Sequence, residues 1–341
     1  MDMEDRFLDI IDRCLKRRQV PQEDCEYLLS FAEDSEESVY LIDKANGYIR
    51  ARCDDIGEIG VQIGVIVGPC YVDCGFCNFA RSTTDVEDFT MSDDELTRYL
   101  RSVTKDGIVS SVSLMTIHNF DFDEFLRCVE TARSVLPECV RICSNTGDLE
   151  PYEARELKAA GVSTAYHAIR LGESIDNQLE PIGRSRTIKN LIDAGIEVAT
   201  GVEPIGPEHS VREICSSYYD AIRSGCHCCS ASPRIPVPGT RMYNSGSISD
   251  KRLKQIRSAL LMCSTSYDNT EFGFYGGFYG GINRFYGEYS NSPKDTEELS
   301  EKGMNHTVGW AKDQLVRNGF NYIRMADGSI GCLRRTVCSL R

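Results

Sequence analysis

The stretch Gly68-Pro69-Cys70-Tyr71-Val72-Asp73-Cys74-Gly75-Phe76-Cys77-Asn78-Phe79 directly follows an apolar run over residues 60–67. Its three cysteines have the spacing C-x3-C-x2-C. Three thiolates on one loop can each bind a different iron of a cuboidal 4Fe-4S cluster, which leaves the fourth iron without a protein ligand. That iron is then open to a bound substrate. We therefore predict that Cys70, Cys74 and Cys77 are metal ligands and take part in catalysis.

Two other readings of the motif stay open. A structural zinc site normally uses four ligands in two close pairs. The second C-x2-C pair, Cys226 and Cys229, lies on a predicted strand whose alternation sends the two side chains to opposite faces. A noncatalytic iron-sulfur carrier normally closes its cluster with four protein ligands, whereas this loop offers three. The loop therefore favours a reactive cluster over either alternative.

Strand-like and helical patterns alternate after residue 55. Ser92 precedes three acids, Asp93, Asp94 and Glu95, as at a capped helix start. Six strand-helix units at intervals of roughly 30 residues predict an α/β fold with a parallel, right-handed array. The natural closure is a partial (βα)6 TIM-like barrel with its chemistry at the C-terminal strand ends. The predicted strands span 60–67, 109–116, 140–144, 164–169, 196–202 and 227–231, and the predicted helices span 92–103, 121–134, 150–160, 185–194, 211–223 and 250–263.

The segments flanking the barrel complete the predicted organisation. Residues 1–55 are predicted to form an N-terminal helical cap, 56–265 the barrel, and 266–341 a C-terminal closing segment. A Gly and aromatic near-repeat over residues 273–281 is too aromatic for a linker. We expect it to be an extended segment or loop that closes the open side of the barrel. Residues 308–317 have a helical pattern.

Composition excludes several functional classes. The net charge of -14 argues against a nucleic-acid partner, because phosphate binding needs clustered basic residues. No run approaches the roughly 20 apolar residues of a membrane span. The 16 cysteines are expected to be reduced, because the chain starts with the charged MDMEDR and is larger than a disulfide-stapled scaffold. We therefore expect a cytoplasmic protein. The sequence leaves its oligomeric state open.

With Phe76 before the last cysteine, the motif resembles the radical S-adenosylmethionine (SAM) superfamily signature, C-x3-C-x-aromatic-C. The resemblance implies that SAM chelates the open iron through its amino and carboxylate groups. An electron from the cluster then splits SAM into methionine and a 5'-deoxyadenosyl radical. The resemblance further implies that Phe76 contacts the adenine, that a small-molecule substrate is enclosed in the barrel, and that ferredoxin or flavodoxin supplies the electron.

Later strand ends carry further parts of the resemblance. Residues 166–173 resemble the segment in which relatives place an arginine and an acid near the SAM carboxylate and amine, which implies these roles for Arg170 and Glu173. Residues 201–208 resemble the G-x-I-x-G-x-x-E motif that meets adenine. Residues 234–240 resemble the adenine-lining P-x-x-G-T loop. The predicted cofactor-binding set is Phe76, Ser144, Asn145, Arg170, Glu173, Gly201, Glu203 and Val237.

The second strand departs from the family pattern. Relatives often have a Gly-Gly-Glu-like stretch there for the methionine amine, whereas this chain has Met115-Thr116-Ile117-His118-Asn119. Thr116 or His118 could substitute for that contact. Tyr166, His167 and Asn145 are further candidates for lining the substrate cavity.

The P-x-x-G-T loop resembles the group that holds biotin synthase, methylornithine synthase and the iron-only hydrogenase maturase. Within it we favour single-cluster chemistry in cofactor or amino-acid biosynthesis. Biotin synthase-like sulfur insertion needs a second cluster, and Cys143 matches one of its ligand positions, whereas Leu114 and Ala199 occupy two others. A lipoyl-synthase-like auxiliary cluster is the other form of this alternative. Its candidate ligands are Cys226, Cys228, Cys229, Cys332 and Cys338.

Overall fold

The structure is a computed structural model that describes residues 4–16, 20–226, 228–263, 270–271, 281–290 and 307–334. Cys338 and the Gly and aromatic repeat, apart from Gly281, lie outside the described residues. The chain begins with three helices, α1 (Asp5–Leu15), α2 (Gln22–Leu28) and α3 (Glu36–Arg52). Ser35 caps α3, because its hydroxyl accepts a hydrogen bond from the Ser38 backbone N–H at 3.2 Å. The predicted helical character of this region is confirmed.

Six strand-helix units follow. The first strand, β1 (Ile56–Val67), is buried along its whole length, and β2 (Phe89–Thr90) pairs antiparallel with its end. Each later unit is a short strand and the helix that returns the chain to the start of the next. These elements are α4 (Asp93–Thr104), β3 (Ser111–Thr116), α5 (Phe122–Val135), β4 (Arg141–Asn145), α6 (Pro151–Ala159), β5 (Val162–Tyr166), α7 (Pro181–Asp193), β6 (Glu197–Ile205), α8 (Val211–Arg223), β7 (Cys228–Pro233) and α9 (Asp250–Cys263).

The strands form one curled sheet. Its main array runs β1-β3-β4-β5-β6-β7, and every neighbouring pair in it is parallel. Because all six strands are parallel, their C-terminal ends meet at one edge, where barrel enzymes place their chemistry. The predicted partial (βα)6 barrel is confirmed.

The C-terminal part of the chain adds to the outer edge of β1. It contains β8 (Thr270–Glu271), β9 (Arg284–Tyr289), α10 (Val308–Arg317), β10 (Tyr322–Arg324) and β11 (Ile330–Cys332). Strand β9 pairs parallel with β1 on the side away from β3. Strand β8 pairs with β9 and lies beside β7. The segment therefore runs between the first and last strands of the array.

One buried carboxylate ties these strands together near the N-terminal end of β1. Arg284 on β9 donates to Glu58 Oε2 at 2.7 Å, and Arg324 on β10 donates to Glu58 Oε1 at 3.0 Å. Arg141 on β4 pairs with the same carboxylate. Burial alone would raise the pKa of Glu58, but the three guanidinium groups outweigh it and lower the pKa to about 2.

The N-terminal helices pack on the outside of the barrel, where they contact α8 and α9. Four buried cysteines meet at this interface, where the thiol of Cys263 contacts those of Cys14 and Cys25, and Cys25 also contacts Cys215. Buried thiols of this kind behave as small apolar groups. None of the helices in the described ranges has both the length and the apolar character needed to cross a membrane.

Candidate functional site

The cysteine loop begins where β1 ends, at the C-terminal edge of the sheet. Its two ends are fastened to each other, because the Cys70 N–H donates to Phe79 O at 2.8 Å and the Arg81 N–H donates to Cys70 O at 3.1 Å. A turn brings the other cysteines together, with the Cys77 N–H donating to Cys74 O at 3.1 Å. The loop is thus folded so that all three thiols line one cavity.

The backbone of Phe79 donates a hydrogen bond to the sulfur of Cys77, a contact that cluster-binding thiolates often receive. The distance from the Phe79 backbone nitrogen to Cys77 Sγ is 3.4 Å. Such hydrogen bonds to sulfur help to set the properties of iron-sulfur clusters.

The cavity is enclosed by the C-terminal ends of β1, β3, β4, β5 and β6 and by the loops that follow the strands. We call it the central cavity. Its described lining combines the three cysteines with apolar groups and a few polar ones. The lining residues are Gln62, Val67, Cys70, Val72, Cys74, Phe76, Cys77, Phe79, Met115, Thr116, Ile117, His118, Asn145, Thr146, Gly147, Tyr166, Arg170, Leu179, Arg184, Glu203, Pro204, Pro233, Ile235 and Glu288.

The surroundings of Cys74 and Cys77 disfavour the charged form of their thiols. Burial raises the pKa of Cys74 to about 11, although the nearby Arg170 opposes this shift. Burial also raises the pKa of Cys77, and Cys74 adds to the effect. Both thiols are therefore protonated at neutral pH in the metal-free chain. Metal binding must displace these protons, as is general for thiolate ligands.

Two arginines face the central cavity, and the first of them is Arg170. Its Nε lies 3.7 Å from Glu203 Oε1, so the two groups form an ion pair across the cavity wall. Burial by itself lowers the pKa of Arg170, but Glu203 and Cys74 outweigh it, so the pKa is raised. The guanidinium therefore stays charged and can grip a carboxylate with two parallel hydrogen bonds.

The second arginine is Arg184, near the start of α7. It donates from Nη1 to Asp148 Oδ1 at 2.9 Å and from Nε to Ala168 O at 3.1 Å. His167 Nε2 lies 3.2 Å from the same carboxylate oxygen. Burial and Arg184 lower the pKa of His167 to about 3, even though Asp148 opposes the shift. His167 is therefore a neutral imidazole that helps to orient Asp148.

The structure brings together many of the residues expected from the sequence. Beside the three cysteines, the predicted residues Phe76, Asn145, Arg170 and Glu203 line the central cavity. Thr116, His118 and Tyr166 line it too, whereas His167 is buried behind the wall. Burial lowers the pKa of His118, which keeps its imidazole neutral.

Four residues of the predicted set do not line the cavity. Ser144 is buried on β4, where side chains alternate between the two faces and Asn145 takes the cavity side. Glu173 shapes the loop after β5, because its carboxylate accepts from the Arg170 N–H at 2.7 Å and from Asn177 Nδ2 at 2.9 Å. Gly201 gives room to Tyr166, whose hydroxyl would lie 2.6 Å from a Cβ at this position. Val237 is buried in a turn, where its carbonyl accepts from the Thr240 hydroxyl at 2.7 Å.

Sequence reasoning missed Arg184, Asp148 and Glu288. Arg184 was placed just before a helix predicted to begin at residue 185, whereas α7 begins at Pro181. Proline favours the first position of a helix. This signal could have placed Arg184 in the first turn of α7, near the C-terminal edge of the sheet. Glu288 lies on β9, which was not predicted as a strand. In the β1–β9 pairing it lies opposite Gln62.

The cysteines proposed as ligands of a second cluster lie on different elements of the structure. Within the described ranges, no three His, Cys, Asp or Glu side chains, the loop cysteines included, are arranged to hold a single metal ion. Cys143 lies in the barrel interior beside Tyr166. Of the candidate auxiliary ligands, Cys226 directly precedes the undescribed residue 227, and Cys338 lies outside the described residues. Cys332 ends β11 and is in a disulfide bond, so the expectation that all the cysteines are reduced is wrong for this residue.

Comparison with curated proteins finds biotin synthases. The chain is 27% identical over 184 residues to the biotin synthase of Synechocystis sp., which is 50% of this chain and 51% of that protein. It is 27% identical over 204 residues to the enzyme of Clostridium perfringens, which is 58% of this chain and 62% of that protein. The chain thus spans about half to three fifths of the length of these relatives. No family model matches it.

Solved structures share the whole architecture. The crystal structure of HydG, a maturase of the [FeFe]-hydrogenase, superposes with a TM-score of 0.77 at 14% identity, covering 94% of this chain and 76% of HydG. Methylornithine synthase (PylB) gives 0.75 at 15% identity, covering 91% and 96%. At these identities the structural likeness shows the fold.

The chain is thus similar in fold to HydG and methylornithine synthase. In sequence it is a distant homologue of biotin synthases.

Proposed function

We propose that this protein is an enzyme that cleaves SAM reductively at a 4Fe-4S cluster and abstracts a hydrogen atom from a small molecule held in the barrel. The observation that supports this most directly is the meeting of three thiols and two arginines in one cavity. Three thiols leave one iron for a ligand, and a guanidinium is the side chain best suited to hold the carboxylate of that ligand.

The residues fit both cofactors. Cys70, Cys74 and Cys77 would hold the cluster, and the Phe79 N–H would support the thiolate of Cys77. When bound together, the cluster and SAM supply the 5'-deoxyadenosyl radical. Arg170, with Glu203 beside it, would bind the carboxylate of SAM, and Phe76 would contact the adenine. Glu173 keeps Arg170 in place by accepting the hydrogen bond from its backbone N–H.

Enclosure of the reaction follows from the cavity walls. A radical must be kept from water and from other C–H bonds, which requires a closed site. Apolar groups such as Val67, Met115, Ile117 and Ile235 line the cavity and would disfavour water beside the radical. Asn145, Tyr166 and His118 provide the polar contacts that would orient a substrate.

The substrate class that we favour is a small molecule in cofactor or amino-acid biosynthesis, with ferredoxin or flavodoxin as the electron donor. The fold shared with HydG and PylB supports this choice. Sulfur insertion is the second candidate, because the relatives matched by sequence are biotin synthases. Against it, only Cys143 occupies a second-cluster position suggested by the resemblance, while Leu114 and Ala199 occupy two others.

Iron loading of single-cysteine variants tests the proposal. The protein, purified and reconstituted without oxygen, is expected to hold about four irons per chain. Cys70→Ser, Cys74→Ser and Cys77→Ser are each expected to lose most of this iron, because a cluster with two thiolates is poorly held. Cys128→Ser, which changes a buried cysteine on α5 away from the cavity, is the matched control and is expected to keep it. Full iron content in all three loop variants would refute the assignment.

A further inference from the structure

The loops that follow β5 and β7 both form backbone hydrogen bonds with the cysteine loop. The Gly75 N–H donates to Asp176 O at 2.9 Å, and the Met242 N–H donates to Gly75 O at 2.8 Å. The Gln178 N–H donates to Val72 O at 3.2 Å. The loop that carries the three thiols is therefore positioned by two other loops as well as by its own turns.

Arg241 connects all three loops through one nitrogen. Its Nη2 donates to Asp73 O, directly before Cys74, and to Asp176 O, both at 2.9 Å. These two carbonyls belong to different loops, and Arg241 itself belongs to the third. The guanidinium thus lies where the loops meet, although much of the side chain is exposed.

Gly75 shows how close this contact is. A Cβ at residue 75 would lie 3.0 Å from Met242 Cγ and 3.3 Å from both Arg241 Nη2 and Met242 Sδ. Two consecutive side chains of the loop after β7 thus cover the glycine between Cys74 and Cys77. Arg241 therefore places a positive charge on the backbone directly before Cys74, in a chain whose net charge is -14.

We propose that Arg241 is a positioning residue for the cluster, which fixes the cysteine loop and places a cation beside it. This inference rests on the proposed function. Net charge, hydrogen bonding and solvent exposure set the reduction potential of an iron-sulfur cluster, and a nearby cation favours the reduced form. Arg241 thereby raises the potential of the cluster and slows its loss of iron.

The test uses the full-length, anaerobically reconstituted protein. Arg241→Gln is expected to lose iron to a chelator several-fold faster than the parent and to show a more negative midpoint potential in a redox titration followed by electron paramagnetic resonance. Arg241→Lys keeps the charge and is expected to recover most of the shift in potential. Arg101→Gln, which changes an exposed arginine on α4, is the control and is expected to match the parent.

Two outcomes separate this inference from the proposed function. A parent protein that holds no cluster would defeat the proposed function itself. A parent with a normal cluster and an Arg241→Gln variant with the same potential and iron retention would overturn only the role of Arg241. If Arg241→Gln fails to fold, Arg241→Met removes the charge and both hydrogen bonds but keeps a side chain of similar length. It is expected to lose iron faster, and parent-like retention would equally overturn the inference.

Discussion

Arg170 and Glu203 face each other across the wall of the central cavity, with 3.7 Å between Nε and Oε1. The pair joins the loop after β5 to strand β6, beside the cysteine loop. At this distance the guanidinium can still donate hydrogen bonds to a second carboxylate that approaches from the cavity. This geometry supports the role of Arg170 in binding SAM.

Replacing Arg170 tests that role directly. Arg170→Ala is expected to weaken SAM binding by about 1.5 to 3 kcal/mol, the usual contribution of a hydrogen bond to a charged group. Arg170→Lys is expected to recover part of the loss, because it keeps the charge but not the planar fork. Equilibrium dialysis with SAM measures both. Affinity equal to that of Arg101→Ala would assign Arg170 to barrel packing alone.

The carboxylate of Glu58 is expected to stabilise the attachment of β9 and β10 to β1. Glu58→Gln should lower the free energy of unfolding at pH 7 by about 3 to 5 kcal/mol, because it removes the charge that three arginines share. Urea denaturation measures the change. Glu156→Gln, at an exposed position on α6, is the control. Equal stability of the two variants would contradict the prediction.

The same carboxylate gives the protein a specific acid sensitivity. The folded pKa of Glu58, about 2, is lower than that of the unfolded chain. Its stabilisation is therefore complete above the unfolded pKa, roughly 4.3, and is lost as the pH falls toward 2. The parent should lose about 3 kcal/mol more than Glu58→Gln over this interval. Parallel pH profiles for the two proteins would show that Glu58 does not titrate in this way.

Gly201 is expected to be required for the shape of the cavity. In Gly201→Ala the new methyl group would lie 2.6 Å from the Tyr166 hydroxyl, so this side chain must shift. We expect weaker SAM binding and a loss of stability of about 1 to 3 kcal/mol. Gly47→Ala on α3 is the control, because a Cβ there meets no atom within 4 Å, and it should be neutral or stabilising. SAM affinity unchanged in Gly201→Ala would show that Gly201 does not determine the shape of the cavity.

The sequence was sufficient to predict the barrel, because its strands and helices are strongly periodic and short-range signals mark their limits. Helices α8 and α9 begin and end where they were predicted, at residues 211–223 and 250–263. Strand β9 was missed because it pairs with β1 across more than 200 residues, and no local pattern encodes that partner. The cysteine motif was recognisable because all its ligands lie on one loop. Asp148 and Arg184 were not, because only the fold brings them together.

The number of clusters distinguishes the reaction types. We predict one cluster, so the parent and a variant with Cys226, Cys228, Cys332 and Cys338 all changed to Ser should each contain about four irons per chain. Iron analysis after reconstitution provides the measurement. About eight irons in the parent, falling to about four in the variant, would instead support sulfur insertion.

The most direct test of the central claim is whether the reconstituted protein forms 5'-deoxyadenosine from SAM under a strong reductant. Chromatography of the reaction mixture measures this product. The parent is expected to form it, and Cys74→Ala is expected to form none, because the cluster loses the ligand beside Arg170. Cys128→Ala should behave as the parent does. Equal formation of 5'-deoxyadenosine by the parent and Cys74→Ala, or none by a parent that carries its cluster, would contradict the assignment of this cavity to SAM cleavage.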